Sequence, residues 1–148
     1  MIKGHLSQTE FEEVFSKVPR LTVEIIIHSP QGILLTNRQT EPCKGTWHIP
    51  GGTVRFGEYL TDAVHRKAKD ELSHDVIIED FLGYIEYPSH FEKGLDSPVG
   101  MVFKTILQGD DFELAADMRW FTELPDHMHE EQKSFLLEHM FLKVSCYS

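Results

Sequence analysis

The sequence predicts a fold that mixes β-strands and α-helices, of the α/β or α+β class. A run of β-branched residues from Leu21 to His28 predicts a strand, and Pro30-Gln31-Gly32 turns the chain into a second strand, Ile33 to Asn37. Apolar residues at helical spacing, with no Gly or Pro among them, predict a helix from Glu58 to Leu72. Strands and helices mixed in this way indicate α/β or α+β architecture and exclude a helical bundle.

The other elements follow from local signals along the chain. A capping box at Ser7-Gln8-Thr9-Glu10 predicts an N-terminal helix that ends before Pro19. Residues 38–57 are rich in Pro, Gly and polar side chains, which predicts a loop with a short strand at Trp47-His48-Ile49 and a tight turn at Pro50-Gly51-Gly52. The remaining predictions are strands near Val76 to Tyr87, Gly100 to Leu107 and Met118 to Phe121, a polar loop and possible substrate lid from Pro88 to Val99, and a closing helix from near Asp126.

Composition limits the class of protein. A chain of 148 residues with 41% apolar side chains suits a single domain, 1–148. The net charge of −10 disfavours general nucleic-acid binding and means that a phosphate-bearing substrate needs a cation. Cys43 and Cys146 are too far apart in sequence to suggest a metal-ligand pair, and we expect reduced thiols. The absence of a signal peptide or bilayer-length apolar run predicts a cytoplasmic protein without a membrane segment.

The predicted central helix carries charges where its apolar face should be. Lys67 and Glu71 point into or beside the apolar arc, and Asp70 lies at its edge. One interpretation is an ion pair between Lys67 and Glu71 at i, i+4 spacing. The other is a metal site, because adjacent carboxylates and the carbonyls of the Gly51-Gly52 turn are oxygen ligands suited to Mg²⁺ or Mn²⁺. A Mg²⁺ ion held by one or two carboxylates takes substrate phosphates as further ligands.

These residues resemble the Nudix box, which runs Gly, five residues, Glu, seven residues, Arg-Glu, an aliphatic residue, any residue, Glu-Glu, any residue, Gly and an aliphatic residue. Matches at the family's spacing are Gly52, Glu58, Arg66, Ala68 and Glu71, with Asp70 in place of the first Glu of the final pair. Three positions depart from the pattern, namely Lys67, Ser73 and His74. The resemblance implies a Nudix-type α/β/α sandwich with flanking N- and C-terminal helices.

A closer resemblance is to the GDP-mannose mannosyl hydrolase branch of the family, whose box is also incomplete. The likeness covers about the first half of the chain, including Pro42, Gly45, Trp47 and Pro50-Gly51-Gly52. It implies that Glu71 is a metal ligand and that Arg38 stabilises charge on the leaving diphosphate. The branch's catalytic Gln-His pair falls on Leu114 and Ala115, so its transfer mechanism does not carry over.

The resemblance and the residues together give a set of candidate site residues. Predicted metal ligands are Gly51, Asp70, Glu71 and Glu58, holding one to three Mg²⁺ or Mn²⁺ ions, although Glu58 and Arg66 also suit a supporting ion pair. Predicted substrate-binding residues are Arg38, Lys67 and His90. Glu113 is the first candidate for a catalytic base and His90 the second, with a solvated loop position as the alternative for both.

Two functions remain open at this point. The first is a metal-dependent hydrolase of a nucleoside diphosphate-linked substrate such as a nucleotide sugar, with attack at phosphorus or at sugar carbon. The second is a catalytically weakened Nudix-fold module that binds a nucleotide or regulates a partner, an interpretation favoured by Lys67, Leu114 and Ala115. Retention of both Asp70 and Glu71 favours the enzyme, and analogy with the family suggests a homodimer.

Overall fold

The computed structural model describes residues 6–41 and 43–141, whose seven strands form one mixed sheet. The spatial order is β3-β2-β1-β6-β5, with β4 paired to β1 and β7 paired to β2. The β1 and β6 strands are parallel, and the other pairs are antiparallel. The strands are β1 (Arg20–Ser29), β2 (Gly32–Asn37), β3 (Trp47–His48), β4 (Gly51–Thr53), β5 (Val76–Glu86), β6 (Pro98–Leu107) and β7 (Met118–Phe121).

Four α-helices accompany the sheet in the described part of the chain: α1 (Gln8–Phe15), α2 (Leu60–Leu72), α3 (Pro88–Phe91) and α4 (Glu130–Leu136), the last followed by a π-helical turn at Leu137–Phe141. The capping box of α1 is confirmed, since Ser7 and Glu10 each accept a hydrogen bond from the other's backbone N–H. Helix α2 ends at Ser73 with a φ of 52°. Ser73 thus adopts the left-handed conformation that glycine adopts at low cost, at the position where the Nudix box has glycine.

The strand β1 lies at the centre of the molecule and is buried on both faces. Val23, Ile25 and Ile27 belong to a core cluster that includes Ala63, Val64, Ala68 and Leu72 of α2. Ile26 points the other way, into a second cluster that contains Phe135 and Leu136 of α4. Because successive residues of a strand face opposite sides, one apolar run supplies both layers. The predicted α/β/α sandwich is confirmed.

Four predicted boundaries are wrong in detail. The Pro50-Gly51-Gly52 segment leads into strand β4 instead of a turn, because it pairs with β1. Helix α2 begins at Leu60, after Glu58, and the closing helix begins at Glu130, after Asp126. The segment from Pro88 to Val99 contains helix α3 and the first residues of β6.

Two further predictions concern the environment of the protein. No helix of the described residues is long and apolar enough to cross a membrane. Cys43 is an exposed free thiol, whereas Cys146 lies outside the described residues.

Candidate active site

A cleft of about 800 Å³ opens beside β1 at the point where this strand changes partners. The first half of β1 pairs with β4, its end pairs with β2, and Ile25 N–H donates to the Pro50 carbonyl between them. Side chains from distant parts of the sequence line this cleft: Thr22 and Glu24 of β1, Arg38, His48, Glu71, Tyr87, His90, Asp96, His129 and Gln132, with Phe11 and Phe15 of α1 at one side.

Glu71 reaches this cleft from α2. Its carboxylate accepts a hydrogen bond from the Gly51 N–H and lies 3.6 Å from the Lys67 ammonium, measured from Oε1 to Nζ. Burial raises the pKa of Glu71, and the positive charge of Lys67 opposes that rise. The predicted ion pair between Lys67 and Glu71 is therefore present, and Glu71 still faces the cleft.

Asp70 and Glu58, the other carboxylates predicted as metal ligands, do not line the cleft. The side chain of Asp70 is 53% exposed and lies 3.7 Å from Arg66. Arg66 donates to both oxygens of Glu58, at 2.7 and 2.9 Å, and the Arg55 N–H donates to one of them. With its side chain only 3% exposed, Glu58 supports the loop before α2, and its oxygens are not available to a metal at Glu71.

The Glu58–Arg66 pair leads to a prediction about stability. Arg66→Met removes both bonds to Glu58 and a third to the Thr53 carbonyl, leaving an enclosed carboxylate without its guanidinium. We expect a loss of about 2 kcal/mol, less than for a fully buried pair because Arg66 is 20% exposed. Urea unfolding of wild type, Arg66→Met and the double variant Glu58→Gln/Arg66→Met measures this. The double variant should recover part of the loss, and equal losses would contradict the argument.

Glu24 is a carboxyl group buried at the back of the cleft. Tyr87 donates its hydroxyl proton to Glu24 Oε1 at 2.5 Å, and Gln132 Nε2 donates to Oε2 at 3.2 Å. Gly100 makes room for it, since a Cβ there would lie 2.4 Å from Glu24 Oε1. Burial raises the pKa of Glu24 to about 7, against the hydrogen bonds from Tyr87 and Thr22.

Three histidines lie in the same cleft, and two of them contact each other. His90 and His129 share a hydrogen bond between their Nε2 atoms at 2.7 Å, and His90 Nδ1 lies 2.8 Å from Asp96 Oδ1. Burial lowers the pKa of His129 to about 4 and also lowers that of His48. The bond to His90 and the Arg20 guanidinium hold the pKa of Asp96 at about 2. The charged forms of His48 and His129 are therefore disfavoured in this cleft, whereas the carboxylate of Asp96 is stabilised.

The structure brings together some of the predicted site residues and separates others. Arg38, Gly51, Glu71 and His90 all line the cleft, whereas Lys67 does not, although its ammonium lies 3.6 Å from Glu71. Glu113 does not; it is exposed, in a segment whose Phe112 packs against His74 and Trp120. Leu114, the neighbouring residue, lines a different cavity. The candidate base at Glu113 is therefore placed outside the cleft that contains Glu71.

Sequence reasoning missed Glu24, His48, His129 and Gln132. The one usable signal was Glu24, a carboxylate inside the β-branched run of a strand predicted to be buried. The histidines come from segments about 40 residues apart, with no spacing that predicts their meeting.

The cleft offers few protein ligands for a divalent cation. Among residues 6–41 and 43–141, no three His, Cys, Asp or Glu side chains are arranged to hold one metal ion. Glu71 and the adjoining Gly51 remain as candidate ligands. This sparse set suits Mg²⁺ or Mn²⁺, which bind proteins through one or two carboxylates and complete their coordination with substrate phosphates.

Comparison with known proteins identifies the family. The NUDIX domain family model matches residues 18–136, which include the sheet, α2 and most of the residues that line the cleft. The chain belongs to the Nudix family. This membership confirms the predicted enzyme class, a hydrolase.

Individual relatives agree with this assignment. The low-salt glycan biosynthesis protein Agl8 of Haloferax volcanii is 39% identical over 109 residues, covering 71% of this chain and 70% of Agl8. An ADP-ribose pyrophosphatase of Methanocaldococcus jannaschii is 30% identical over 101 residues, covering 68% of this chain and 59% of that protein, less than two thirds of its length. The crystal structure of a MutT NUDIX hydrolase from Burkholderia pseudomallei has the same fold, with a TM-score of 0.68 and 24% identity, covering 84% of this chain and 100% of that one.

Proposed function

We propose that this Nudix protein hydrolyses a nucleoside diphosphate-linked substrate such as a nucleotide sugar, with Mg²⁺ or Mn²⁺. The observation that carries the proposal is that one cleft is lined by two chemically different groups of residues. We assign Glu71, Gly51 and Arg38 to one end of the substrate and the polar side chains around Glu24 and His129 to the other. A diphosphate linked to an uncharged polar group requires this combination.

The diphosphate belongs at the Glu71 end. A divalent cation bound by Glu71 would neutralise phosphate charge and lower the pKa of the attacking water. Arg38, in the loop after β2, lines the same cleft and is suited to the leaving diphosphate, because its planar guanidinium can donate two parallel hydrogen bonds. The chain has a net charge of −10 and therefore repels a diphosphate, so local cations such as these are needed to bind it.

The uncharged part of the substrate belongs at the Glu24 end. The low pKa of His129, about 4, keeps its imidazole neutral near pH 7, and Tyr87 and Gln132 are uncharged donors. Glu24, with a pKa of about 7, provides both donor and acceptor character close to neutral pH. Tyr87 and Gln132 already donate to Glu24, so these groups form an uncharged polar wall, which attracts additional phosphate poorly and favours a sugar. His90, the predicted substrate-binding residue, lines the same part of the cleft with Nδ1 beside Asp96 and Nε2 bonded to His129.

The relatives support the same substrate class without deciding it. Agl8 is a glycan biosynthesis protein, and the relative from Methanocaldococcus jannaschii is an ADP-ribose pyrophosphatase. Both activities involve sugars, and the second also involves a diphosphate bond. The cytoplasmic location and the homodimer stay predictions.

The experiment is product analysis after incubation with Mg²⁺ or Mn²⁺ and a panel of nucleotide sugars, dinucleotides and nucleoside triphosphates. We expect turnover of nucleotide sugars that EDTA abolishes. Release of a nucleoside monophosphate and a sugar phosphate would indicate attack at phosphorus, whereas a nucleoside diphosphate and free sugar would indicate attack at carbon.

Two results would overturn the proposal. Preferential turnover of nucleoside triphosphates would show that the neutral end of the cleft does not select a sugar. Nucleotide binding without turnover of any compound would indicate a nucleotide-binding module. The ion pair between Lys67 and Glu71 would then account for the missing catalysis.

A further inference from the structure

Lys67 occupies a defined position between α2 and β4. Its ammonium lies 3.6 Å from Glu71, one helical turn along the same face, and the side chains of Lys67 and Glu71 are 21% and 29% exposed. Surface lysines usually extend into solvent, whereas most of the Lys67 side chain is covered by neighbouring residues.

Gly52 provides the space that this lysine fills. A Cβ at Gly52 would lie 2.4 Å from Lys67 Cε and 2.8 Å from Cδ, both too close for a real contact, so any other residue there would displace the end of the lysine. The glycine of the Nudix box therefore lets the lysine stem lie directly on β4. In this position the ammonium lies beside Glu71.

The charge of Lys67 lies where it can act on Glu71, since the ammonium is 3.6 Å from the carboxylate. The other cations of α2 are placed elsewhere: Arg66 contacts Glu58 and Asp70, and Lys69 is exposed. Lys67 is thus the cation of α2 that faces the carboxylate in the cleft.

We propose that the Lys67 ammonium is a built-in cation that takes the place of one divalent ion beside Glu71, at the edge of the cleft, where its charge attracts the substrate's diphosphate. The proposal rests on the proposed function, since it assigns a role within the same site. It predicts a hydrolase with a smaller requirement for metal than a Nudix box with Glu at this position. A tethered charge of +1 replaces a diffusible charge of +2, and it repels a further ion at the same place.

The test is a titration with Mn²⁺ in the absence of nucleotide, in which electron paramagnetic resonance measures the bound ion. The proteins compared are the wild type, Lys67→Met and Lys67→Glu. Removing the charge should tighten Mn²⁺ binding at least threefold. Reversing it should tighten binding at least tenfold or add one ion per chain. Lys69→Glu is the matched control, with the same charge change on the same helix at an exposed position, and should stay within twofold of wild type.

A second measurement uses pyrophosphate in EDTA, where no divalent ion contributes. Lys67→Met should weaken pyrophosphate binding at least fivefold, and Lys69→Met should not. Circular dichroism spectra matching the wild type would establish that each variant is folded.

Unchanged Mn²⁺ affinity in both Lys67 variants, or unchanged pyrophosphate binding in Lys67→Met, would overturn the proposal. These readouts do not depend on turnover. The proposal about Lys67 and the proposed hydrolase function can therefore fail independently of each other.

Discussion

Glu71→Gln is expected to lower kcat/KM by a factor on the order of 10³ for whichever substrate the panel identifies. Glutamine keeps the shape of the side chain and removes its negative charge, so it neither holds a divalent cation well nor pairs with Lys67. Steady-state kinetics at saturating Mn²⁺ measures the loss. Mn²⁺ binding in the same variant should weaken in parallel, because Glu71 is the helix α2 carboxylate that lines the cleft.

Asp70→Asn is the matched control for this prediction. It makes the same chemical change one residue away, at a side chain that is 53% exposed and outside the cleft. We expect kcat/KM within about threefold of the wild type, as for a surface substitution. A loss in Asp70→Asn as large as that in Glu71→Gln would contradict the division of roles and would restore Asp70 as a metal ligand.

The fold could be predicted from the sequence because its signals are local and strong. The β-branched run of β1, the apolar spacing of α2 and the capping box at Ser7 each depend on neighbouring residues. Element ends were less predictable. Gly51 and Gly52 suggest a turn in isolation, and their pairing with β1 is a tertiary interaction that no local pattern contains.

Different parts of the site were predicted from different signals: Glu71 from helical spacing, Arg38 from the family resemblance and His90 from its place in a loop. Glu71 and Lys67 were found because an ion within an apolar arc contradicts helical amphipathicity. His90 and His129 come from different segments, and their contact depends on how α3 and α4 lie at the end of the sheet. Glu113 was predicted from an acidic loop position typical of the family, and it lies outside the cleft that contains Glu71.

Glu24 should make the protein less stable as the pH rises. Glutamate has an ordinary pKa near 4.5, and burial raises the pKa of folded Glu24 to about 7. Between these values the folded state binds more protons than the unfolded state, so the free energy of unfolding falls with increasing pH. The contribution is fully present below pH 4.5 and is lost by the time the pH exceeds 7, with a total change on the order of 3 kcal/mol.

The measurement is the difference in unfolding free energy between Glu24→Gln and the wild type, from urea titrations in EDTA at pH 5 and pH 8. Glutamine does not titrate, so the variant should gain on the wild type by about 2 to 3 kcal/mol across this range. Any fixed cost of altering the bonds to Tyr87 and Gln132 shifts both points equally. His48 and His129, whose folded pKa values are lowered, make stability rise with pH in both proteins. Their contribution therefore largely cancels in the difference between variant and wild type.

A difference that does not change with pH would show that Glu24 is ionised in the folded protein at pH 5. It would also remove the basis for an uncharged pocket around Glu24.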